Sequence, residues 1–499
     1  MSATATLERP ATETKAEHFD VLIVGAGISG IGGAYHLTKQ CPKKSFVVLE
    51  ALEDFGGTWL MHKYPGIRSD SDLYTFGYRF KPWVGAPIAT ADEIRKYMGE
   101  VIAENDLSRH IRYNHKILSA SWSRKEARWT ITAQVGDARK IFTANFLWMC
   151  QGYYRHSEGY TPQWKGMGRF KGRIVHPQTW PEDLDYKGKR VIVIGSGATT
   201  ATLVPAIAGD CDHVTVLQRS PTYFIPGRNA NDLADQLRQL EVDESWIHEI
   251  VRRQILFMQD AFTKRSVTEP EQVKKELLAG VRAYLGDDYD IDTHFTPRYR
   301  PWRQRIAFVP DGDIFKGITA GKADIVTDEI ETFTEDGILT QSGKELKADI
   351  IITATGFNLS VLGDIDFTID GRKLDFAKTV TYRGMMFTGV PNMVWVFGYF
   401  RASWTLRADL VADFVCRLLN HMAAKGKQRV EVALRPEDKD MPLSSWMDPE
   451  NFNPGYLMRG MHLLPQRGEK PEWQHSQDYW RERKELPFIN LDDAAFVYG

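Results

Sequence analysis

Cysteine is scarce in this sequence, and so are long apolar runs and any excess of charge. The four cysteines, Cys41, Cys150, Cys211 and Cys416, form no CxxC pair. The sequence therefore predicts neither a disulfide framework nor a metal site. A formal net charge of −2 gives no electrostatic reason to expect a nucleic acid or an anionic membrane as partner. The longest apolar runs, such as FLWMC and VIVIG, have the length of a strand and predict no integral membrane segment.

The remaining composition is that of an ordinary globular protein. The chain has 499 residues, of which 43% are hydrophobic and 26% are charged. That length predicts two or three domains with substantial cores. The first 17 residues contain no apolar core, so we interpret them as a disordered lead rather than a secretory signal. A cytoplasmic enzyme is the resulting expectation.

The segment FDVLIVGAGISG contains the first nucleotide-binding motif. Val21–Val24 form an apolar run typical of a buried parallel strand, and Gly25, Gly27 and Gly30 complete a GxGxxG turn before a helix. A second strand ends at Glu50, about twenty residues later, as the dinucleotide motif requires. The helix N-terminus would face the pyrophosphate, and Glu50 would accept hydrogen bonds from ribose hydroxyls.

The segment GKRVIVIGSGATT repeats this design with two changes. Gly195 and Gly197 lie in the turn, but Thr200 occupies the third glycine position, which predicts slightly looser packing of helix on strand. The next strand ends near Arg219 and Ser220 instead of an acid. Arginine pairs with a 2′-phosphate that an acid would repel, so the second motif should prefer NADPH. Two such motifs, the second suited to NADPH, describe a flavoprotein that NADPH reduces.

The predicted fold class is α/β, with two Rossmann-like dinucleotide-binding domains and a helical insertion. The apolar run Ile350–Ile352 marks where the chain crosses between the domains, and GVPNMVWVFGY reads as the strand that returns to the flavin domain. The predicted boundaries are 18–150 with 355–499 for the FAD-binding domain, 151–224 with 301–354 for the NADPH-binding domain, and 225–300 for the insertion.

Helical patterning supports the insertion. Thr268 and Glu271 have the spacing of a capping box. Val273, Leu277 and Val281 follow at the spacing of one helix face. We interpret the region as helices that lie over the active site or that only buttress the fold.

The segment FKGRIVHPQTWP links the two motifs and carries a longer pattern. Phe170, Gly172, His176, Trp180 and Pro181 match every fixed position of FxGxxxHxxxW followed by Pro or Asp. On this pattern the chain, from about residue 18 to residue 465, resembles the type I Baeyer–Villiger monooxygenases, and within them the group typified by the ethionamide-activating monooxygenase. The related flavin-containing monooxygenases usually carry Phe or Tyr at the position of Trp180.

The resemblance implies an enzyme that uses FAD, NADPH and O₂ to convert ketones into esters or lactones through a peroxide adduct at flavin carbon C4a, with sulfides as possible further substrates. It implies catalytic roles for Asp70 and Arg305. An arginine stays charged beside the peroxide where a lysine could lose its proton.

His176 would couple domain movements, or it is a structural histidine. Relatives often carry a basic residue where this chain has Gln304, which leaves the 2′-phosphate to Arg219 and Ser220.

Three other interpretations remain. The first is a flavin-containing monooxygenase that oxygenates sulfur or nitrogen, against which Trp180 and Arg305 argue. The second is a disulfide or pyridine-nucleotide reductase, which would need a redox-active cysteine pair. The third is a non-catalytic flavin-binding protein, for which two intact nucleotide motifs offer little support. No pattern predicts the oligomeric state or the preferred ketone.

The predicted cofactor-binding residues come from both motifs and from the loop FGGTWLMHKYPGIRSD. They are Gly25, Gly27, Ser29, Gly30, Glu50, Gly57, Thr58, Trp59, Arg68, Ser69, Asp70, Gly195, Ser196, Gly197, Ala198, Thr199, Thr200, Arg219 and Ser220.

Overall fold

The structure is a computed structural model that describes residues 16–499. The predicted lead, residues 1–17, therefore lies almost wholly outside the described residues, and Glu17 already begins a strand. The α-helices are α1 (Ile28–Gln40), α2 (Thr58–Met61), α3 (Leu73–Phe76), α4 (Ala91–Glu104), α5 (Ala198–Ile207), α6 (Asp232–Gln239), α7 (Glu244–Thr268), α8 (Pro270–Leu285), α9 (Ile291–His294), α10 (Asp313–Thr319), α11 (Trp404–Ala424), α12 (Gly455–Gly460) and α13 (Tyr479–Glu485).

Many strands are short. They are β1 (Glu17–Val24), β2 (Phe46–Leu49), β3 (Ile111–Arg112), β4 (Lys116–Ser123), β5 (Arg128–Val135), β6 (Ala138–Met149), β7 (Tyr154–Gly159), β8 (Arg173–Val175), β9 (Arg190–Ile194), β10 (His213–Gln218), β11 (Phe224–Gly227), β12 (Ala307–Pro310), β13 (Ala323–Thr327), β14 (Ile330–Phe333), β15 (Gly337–Thr340), β16 (Glu345–Lys347), β17 (Ile350–Thr353), β18 (Phe357–Leu359), β19 (Asp366–Ile369), β20 (Arg372–Lys373), β21 (Thr381–Tyr382), β22 (Met386–Phe387), β23 (Met393–Trp395), β24 (Val430–Val432), β25 (Ser444–Ser445), β26 (Gln466–Arg467) and β27 (Phe496–Tyr498).

Single turns of 3₁₀-helix lie between these elements. They are Ser108–His110, Met167–Arg169, Pro177–Thr179, Phe376–Lys378, Pro436–Asp438, Met461–Leu463, Pro471–Trp473 and Leu486–Phe488.

The larger sheet has nine strands and carries the first glycine turn. Its order is β20-β19-β4-β5-β6-β1-β2-β3, with β23 also paired to β6. The strands around the turn, β6, β1 and β2, are parallel, and their continuous apolar runs are buried on both faces. The predicted return strand is β23, which pairs with the second half of β6.

The smaller sheet has five strands and carries the second glycine turn. Its order is β13-β10-β9-β17-β8, and every pair in it is parallel. The chain thus contains two α/β units of the Rossmann-like type, which confirms the predicted fold class. The apolar run Ile350–Ile352 lies inside β17, which is paired between the central strand β9 and the edge strand β8.

The chain passes between the two sheets twice, and the two passages are hydrogen-bonded to each other. The outgoing strand β7 pairs antiparallel with the returning strand β18. Phe357 lies opposite Gly159, and Leu359 lies opposite Tyr154. The two connections therefore form one two-stranded ribbon, which we call the connecting ribbon.

Four helices, α6 to α9, lie between residues 232 and 294. Val273, Leu277 and Val281 are buried on one face of α8, as the spacing indicates.

The predicted capping box is wrong. Thr268 is the last residue of α7, where its hydroxyl donates to the carbonyl of Lys264, and α8 starts at Pro270. A threonine late in a helix satisfies its hydroxyl by bonding back to the preceding turn.

Candidate functional site

The first glycine turn is closed so tightly that side chains are sterically excluded from it. Gly25 has a φ of +96°, and a Cβ at Gly30 would lie 1.9 Å from the carbonyl oxygen of Gly25. Helix α1 therefore packs directly on the end of β1. Gly27 and Gly57 face each other, since a Cβ at Gly57 would lie 3.0 Å from the Gly27 Cα. Backbone alone lines this part of the turn, which is the surface that a pyrophosphate needs.

Glu50 directly follows β2 beside this turn and is only 4% exposed. Its carboxylate accepts a hydrogen bond of 2.6 Å from the Ala26 N–H and one of 2.9 Å from the Leu52 N–H. Burial raises the pKa of Glu50, and these backbone donors oppose that shift. The acid is thus fixed beside the first glycine turn, and its predicted contact with a ribose stays a prediction.

Three further predicted residues line the first motif. The Ser29 hydroxyl accepts a hydrogen bond of 2.7 Å from the Trp404 indole, which places the start of α11 against the first turn of α1. Thr58 begins α2, and the edge of the Trp59 ring packs on Phe76. The structure brings both helix N-termini and the Gly57 loop to one end of the larger sheet.

The second glycine turn has the same backbone and a different lining. Gly195 has a φ of +127°, and a Cβ there would lie 2.4 Å from the carbonyl oxygen of Ala354. Gly197 precedes α5, and a Cβ at Gly197 would meet no atom within 4 Å. The Thr200 hydroxyl donates to the Gly195 carbonyl at 3.0 Å. The third glycine is therefore replaced by a side chain that hydrogen-bonds where Gly30 only makes room.

The rim of the second turn is polar and open. The Ser196 hydroxyl contacts the Ser220 carbonyl at 3.0 Å and the Thr222 hydroxyl at 2.9 Å. Ala198 and Thr199 form the first turn of α5 and are half-buried. Arg219 is exposed, and its side chain has no hydrogen-bond or ion-pair partner among residues 16–499. A guanidinium without a protein partner, beside a helix N-terminus, fits the recognition of a phosphate.

Asp70 and Arg305, which are 235 positions apart, meet in the structure. The Arg305 Nε donates to Asp70 Oδ2 at 2.6 Å, and Nη2 donates to Oδ1 at 2.7 Å. Burial opposes the charge on Arg305, but the adjacent carboxylate outweighs it and holds the pKa of the guanidinium above its ordinary value. The bidentate geometry leaves Nη1 without a contact to Asp70 and fixes the guanidinium plane.

The two residues before Asp70 point away from Arg305. Arg68 donates to the carboxylate of Asp313 at 2.6 Å and to the carbonyl of Ala201 at 3.2 Å. Ser69 is 3% exposed, and its hydroxyl donates to the Ser71 carbonyl. Arg68 therefore ties this loop to α5 and α10 beside the second turn. The predicted role of Arg68 and Ser69 in cofactor binding stays a prediction.

Three tyrosines surround the Asp70–Arg305 pair, and the sequence reasoning missed all of them. The hydroxyls of Tyr153 and Tyr154 are 2.5 Å apart, and the Tyr153 ring stacks on Trp404. Tyr456 packs on Tyr153, with 6.1 Å between ring centroids. Burial raises the pKa of all three hydroxyls, which keeps them neutral hydrogen-bonding groups. The sequence marks two of them, as the doublet YY that begins four residues after the end of β6.

His176, from the segment that links the two motifs, lies at the connecting ribbon. Its Nε2 contacts the Gly356 carbonyl at 3.1 Å, and its Nδ1 accepts from the Gln178 N–H at 3.1 Å. Burial lowers the pKa of His176. A Cβ at Gly159 would overlap the imidazole, and Trp180 packs on Tyr186. The histidine thus joins both strands of the ribbon, and its role in domain coupling stays a prediction.

These residues fit two dinucleotides. The backbone-lined turn with Glu50 suits a dinucleotide with free ribose hydroxyls, and the open turn with Arg219 suits one with a 2′-phosphate. Asp70 follows the first turn along the chain, Arg305 follows the second, and their contact joins the two parts of the chain. Across residues 16–499 no cluster of three or more His, Cys, Asp or Glu is arranged to hold a metal ion. No helix in that part of the chain is long and apolar enough to cross a membrane.

Comparison with known proteins agrees with a chain that binds dinucleotides. Residues 87–254 match the flavin-binding monooxygenase-like family, and residues 23–83 match the NAD(P)-binding Rossmann-like domain. The FAD-containing monooxygenase EthA of Mycolicibacterium smegmatis is 47% identical over 97% of both chains. EthA of Mycobacterium tuberculosis is 46% identical over 97% of this chain and 98% of its own. The putative FAD-containing monooxygenase MymA of the same organism is 42% identical over 97% of this chain and 98% of its own.

Solved structures share the fold over almost the whole chain. An oxidized steroid monooxygenase bound to NADP superposes with a TM-score of 0.75 at 23% identity, covering 96% of this chain and 99% of its own. A cyclohexanone monooxygenase with bound epsilon-caprolactone gives 0.75 at 18% identity, covering 97% of this chain and 100% of its own.

Proposed function

Because the chain belongs to the FAD-containing monooxygenases, we propose that it catalyses Baeyer–Villiger oxidation of ketones to esters or lactones with NADPH and O₂. FAD and NADP are its cofactors. The observation that carries the proposal is the bidentate contact of Asp70 with Arg305. When bound and reduced by NADPH, the flavin would activate O₂. The negative charge that develops on the ketone oxygen would be stabilised by side chains of this chain.

Arg305 supplies a positive charge that does not depend on pH. Its raised pKa excludes deprotonation, and Asp70 holds the guanidinium plane so that its remaining N–H groups point in one direction. Attack on a ketone places negative charge on the carbonyl oxygen. A fixed donor that already faces that oxygen lowers the barrier without reorganisation. Tyr153 and Tyr456 pack against each other beside the Asp70–Arg305 pair.

We assign the predicted cofactor residues between two sites, and sulfide oxidation to the same centre as a side activity. The proposed FAD site comprises Gly25, Gly27, Ser29, Gly30, Glu50, Gly57, Thr58 and Trp59. The proposed NADPH site comprises Arg68, Ser69, Asp70, Gly195, Ser196, Gly197, Ala198, Thr199, Thr200, Arg219 and Ser220. The proposed domains keep the predicted boundaries, 18–150 with 355–499 for FAD, 151–224 with 301–354 for NADPH, and 225–300 for the helical insertion.

The test replaces the guanidinium and separates binding from chemistry. Arg305→Ala should leave flavin reduction by saturating NADPH largely intact, and it should lower ester formation about a hundredfold to a thousandfold. Arg305→Lys keeps a charge but loses the planar fork that Asp70 orients, so it should recover little. Stopped-flow absorbance follows the flavin, and gas chromatography measures esters from a panel of ketones.

Arg303→Ala is the matched control. Arg303 lies on the same loop, and its guanidinium pairs with the exposed Glu450 instead of Asp70. Its ester yield should be close to that of the native enzyme. A normal ester yield from Arg305→Ala would remove this residue from the mechanism. Products oxygenated only at sulfur or nitrogen, with no ester from any ketone, would replace the proposed reaction by the alternative one.

A further inference from the structure

The outward face of α7 carries large apolar side chains where a surface helix normally carries polar ones. Trp246 is 65% exposed, Phe257 is 69% exposed, and Ile250, which lies between them on the same face, is 40% exposed. The opposite face is anchored in the protein, with Ile247 and Val251 fully buried. Exposed aromatic side chains concentrated on one helix mark an interaction surface rather than scattered surface residues.

Four of the exposed side chains form a single line, which we call the α7 stripe. Trp246, Arg253, Phe257 and Lys264 follow one another at spacings of 7, 4 and 7 residues, so they lie on one face of the helix. They are 65%, 66%, 69% and 70% exposed. The order along the stripe is aromatic, cation, aromatic, cation.

Both cations of the stripe are held in place by acids one turn earlier. Arg253 contacts Glu249 at 2.6 Å, and Lys264 contacts Asp260 at 2.6 Å. The two acids are only 28% and 26% exposed, so they lie closer to the protein than the cations they hold. The stripe presents positive groups and rings, while its local net charge is zero.

This pattern is complementary to itself. The spacings read the same from either end, but reversal exchanges aromatic side chains for cations. Antiparallel helices related by a two-fold axis at the level of Ile255 would place Phe257 against Arg253 of the second copy, and Trp246 against Lys264 of the second copy. These pairs would lie about 3 Å and about 14 Å along the helix from the axis. Cations over aromatic rings attract each other, and more strongly when desolvated.

We propose that the α7 stripe is a dimerisation surface on which α7 of a second copy packs antiparallel. Such an interface is isologous, the commonest arrangement among homo-oligomers. A parallel arrangement would oppose Arg253 to Arg253 and is disfavoured. The acids that neutralise both cations remove the attraction to anionic lipid on which interfacial helices depend. A second copy is therefore the occupant that the stripe fits.

The stripe is also rigid, which lowers the cost of association. Arg252, on the buried face of α7, donates from Nη1 to the carbonyls of Tyr74, Thr75 and Gly77 at 2.9, 3.1 and 3.0 Å. These carbonyls belong to α3 and its C-terminal end, just after Asp70. The helix presents its exposed face without needing to be ordered by a partner.

The test measures the mass of the full-length, FAD-loaded protein by light scattering over a range of concentrations. The native protein should be a dimer at micromolar concentration. Phe257→Arg would oppose two guanidinium groups and should weaken dimerisation about a hundredfold or more. Met258→Arg is the matched control, because Met258 is equally exposed but lies off the stripe, and it should leave the dimer intact. FAD content and circular dichroism confirm that each variant is folded.

A double variant tests the pairing itself. Arg253→Phe combined with Phe257→Arg exchanges the two central groups, so each arginine again faces a phenylalanine of the second copy and the dimer should return. A monomeric native protein, a dimer that Phe257→Arg leaves unchanged, or a double variant that stays monomeric would overturn the proposal. So would a monomeric native protein that sediments with vesicles of phosphatidylcholine and phosphatidylglycerol and loses that binding in Phe257→Arg.

Discussion

The two glycine turns share a backbone and differ in how their helices contact the strand. In the first, Gly30 lets α1 press on the carbonyl of Gly25, so that a Cβ would lie 1.9 Å away. In the second, Thr200 stands at the same position and donates to the carbonyl of Gly195 at 3.0 Å. One turn is closed by removing a side chain, and the other is held by adding a hydrogen bond.

The residues that follow the second strand of each α/β unit differ in the same sense. Glu50 is buried and bonded to two backbone N–H groups, whereas Arg219 is exposed and free of protein partners within residues 16–499. The first site is thus preorganised and enclosed, and the second is open and charged. Preorganised sites hold a ligand for long times because little ordering remains to be done. The comparison leads us to expect a resident FAD and an exchanging NADPH.

The largest effect should come from filling the closed turn. Gly30→Ala forces a methyl group against a backbone carbonyl that is fixed by the sheet, so we expect a loss of at least about 3 kcal/mol in the free energy of unfolding, and purification without FAD. Flavin absorbance and urea unfolding measure both. Gly209→Ala is the control, since a Cβ there meets no atom within 4 Å. A Gly30→Ala protein with full FAD content would contradict the closed turn.

The next effect concerns pH, because, of the two helices that follow the glycine turns, α1 and α5, only α1 is anchored by a buried histidine. His36 lies 3.5 Å from Asp409 and 3.3 Å from Asp413 of α11. Burial lowers its pKa, but the two carboxylates outweigh burial and raise it to about 9. The folded pKa exceeds the ordinary value of about 6.5. The stabilisation is therefore complete below that value and is lost as pH rises through 9, with a maximum of about 3 kcal/mol.

The measurement is the free energy of unfolding at pH 6 and at pH 9.5. His36→Gln should flatten the decrease between them. His213→Gln, which removes a more exposed pair with Asp324 in the smaller sheet, should leave the pH profile parallel to that of the native protein. An unchanged slope in His36→Gln would show that the pairs with α11 do not anchor α1 as charged groups.

A smaller effect should appear at the open turn. Arg219→Ala removes one charge-assisted contact to a 2′-phosphate, worth about 2 kcal/mol, or roughly 30-fold in preference for NADPH over NADH. Rates of flavin reduction with each cofactor measure it. Arg173→Ala, which breaks a surface pair with Asp183 at the far edge of the same sheet, should leave the preference unchanged. Equal use of NADH and NADPH by the native enzyme would refute the assignment.

The smallest effect should come from Thr200 itself. Thr200→Val keeps the volume and loses the hydroxyl that bonds the Gly195 carbonyl, which should cost about 1 kcal/mol of stability and change the NADPH KM little. Thr202→Val, two residues further along α5, is the control. A loss as large as that of Gly30→Ala would show that the two turns are closed to the same degree.

The sequence predicted those parts of the molecule that depend on local order. The strands before both turns, the glycines and the acid at Glu50 follow from residues close together in the chain, and the structure places them as expected. The contact between Asp70 and Arg305 spans 235 positions, and only the resemblance to a family supplied it. Local spacing contains no information about which two loops will meet.

The errors have the same physical origin. Thr268 and Glu271 have the spacing of a capping box, but the helix boundary is set by Pro270, which begins α8. The cluster of Tyr153, Tyr154 and Tyr456 joins the end of β6 to α12 across the molecule. The YY doublet marks two of its members, but no period or motif links them to Tyr456, because the three meet only after the two sheets have folded.

The connecting ribbon bears on how this enzyme could be rebuilt. Since β7 and β18 are hydrogen-bonded to each other, the segment from residue 160 to residue 356 leaves and rejoins the rest of the chain at neighbouring points. A segment whose two ends are adjacent can be exchanged between related proteins, because both new junctions lie in one small region of the structure. Chimeras with a relative, joined at the paired positions Tyr154 and Leu359, would test whether this segment carries the proposed NADPH site. At each such junction the residue keeps the strand partner that it has in the connecting ribbon.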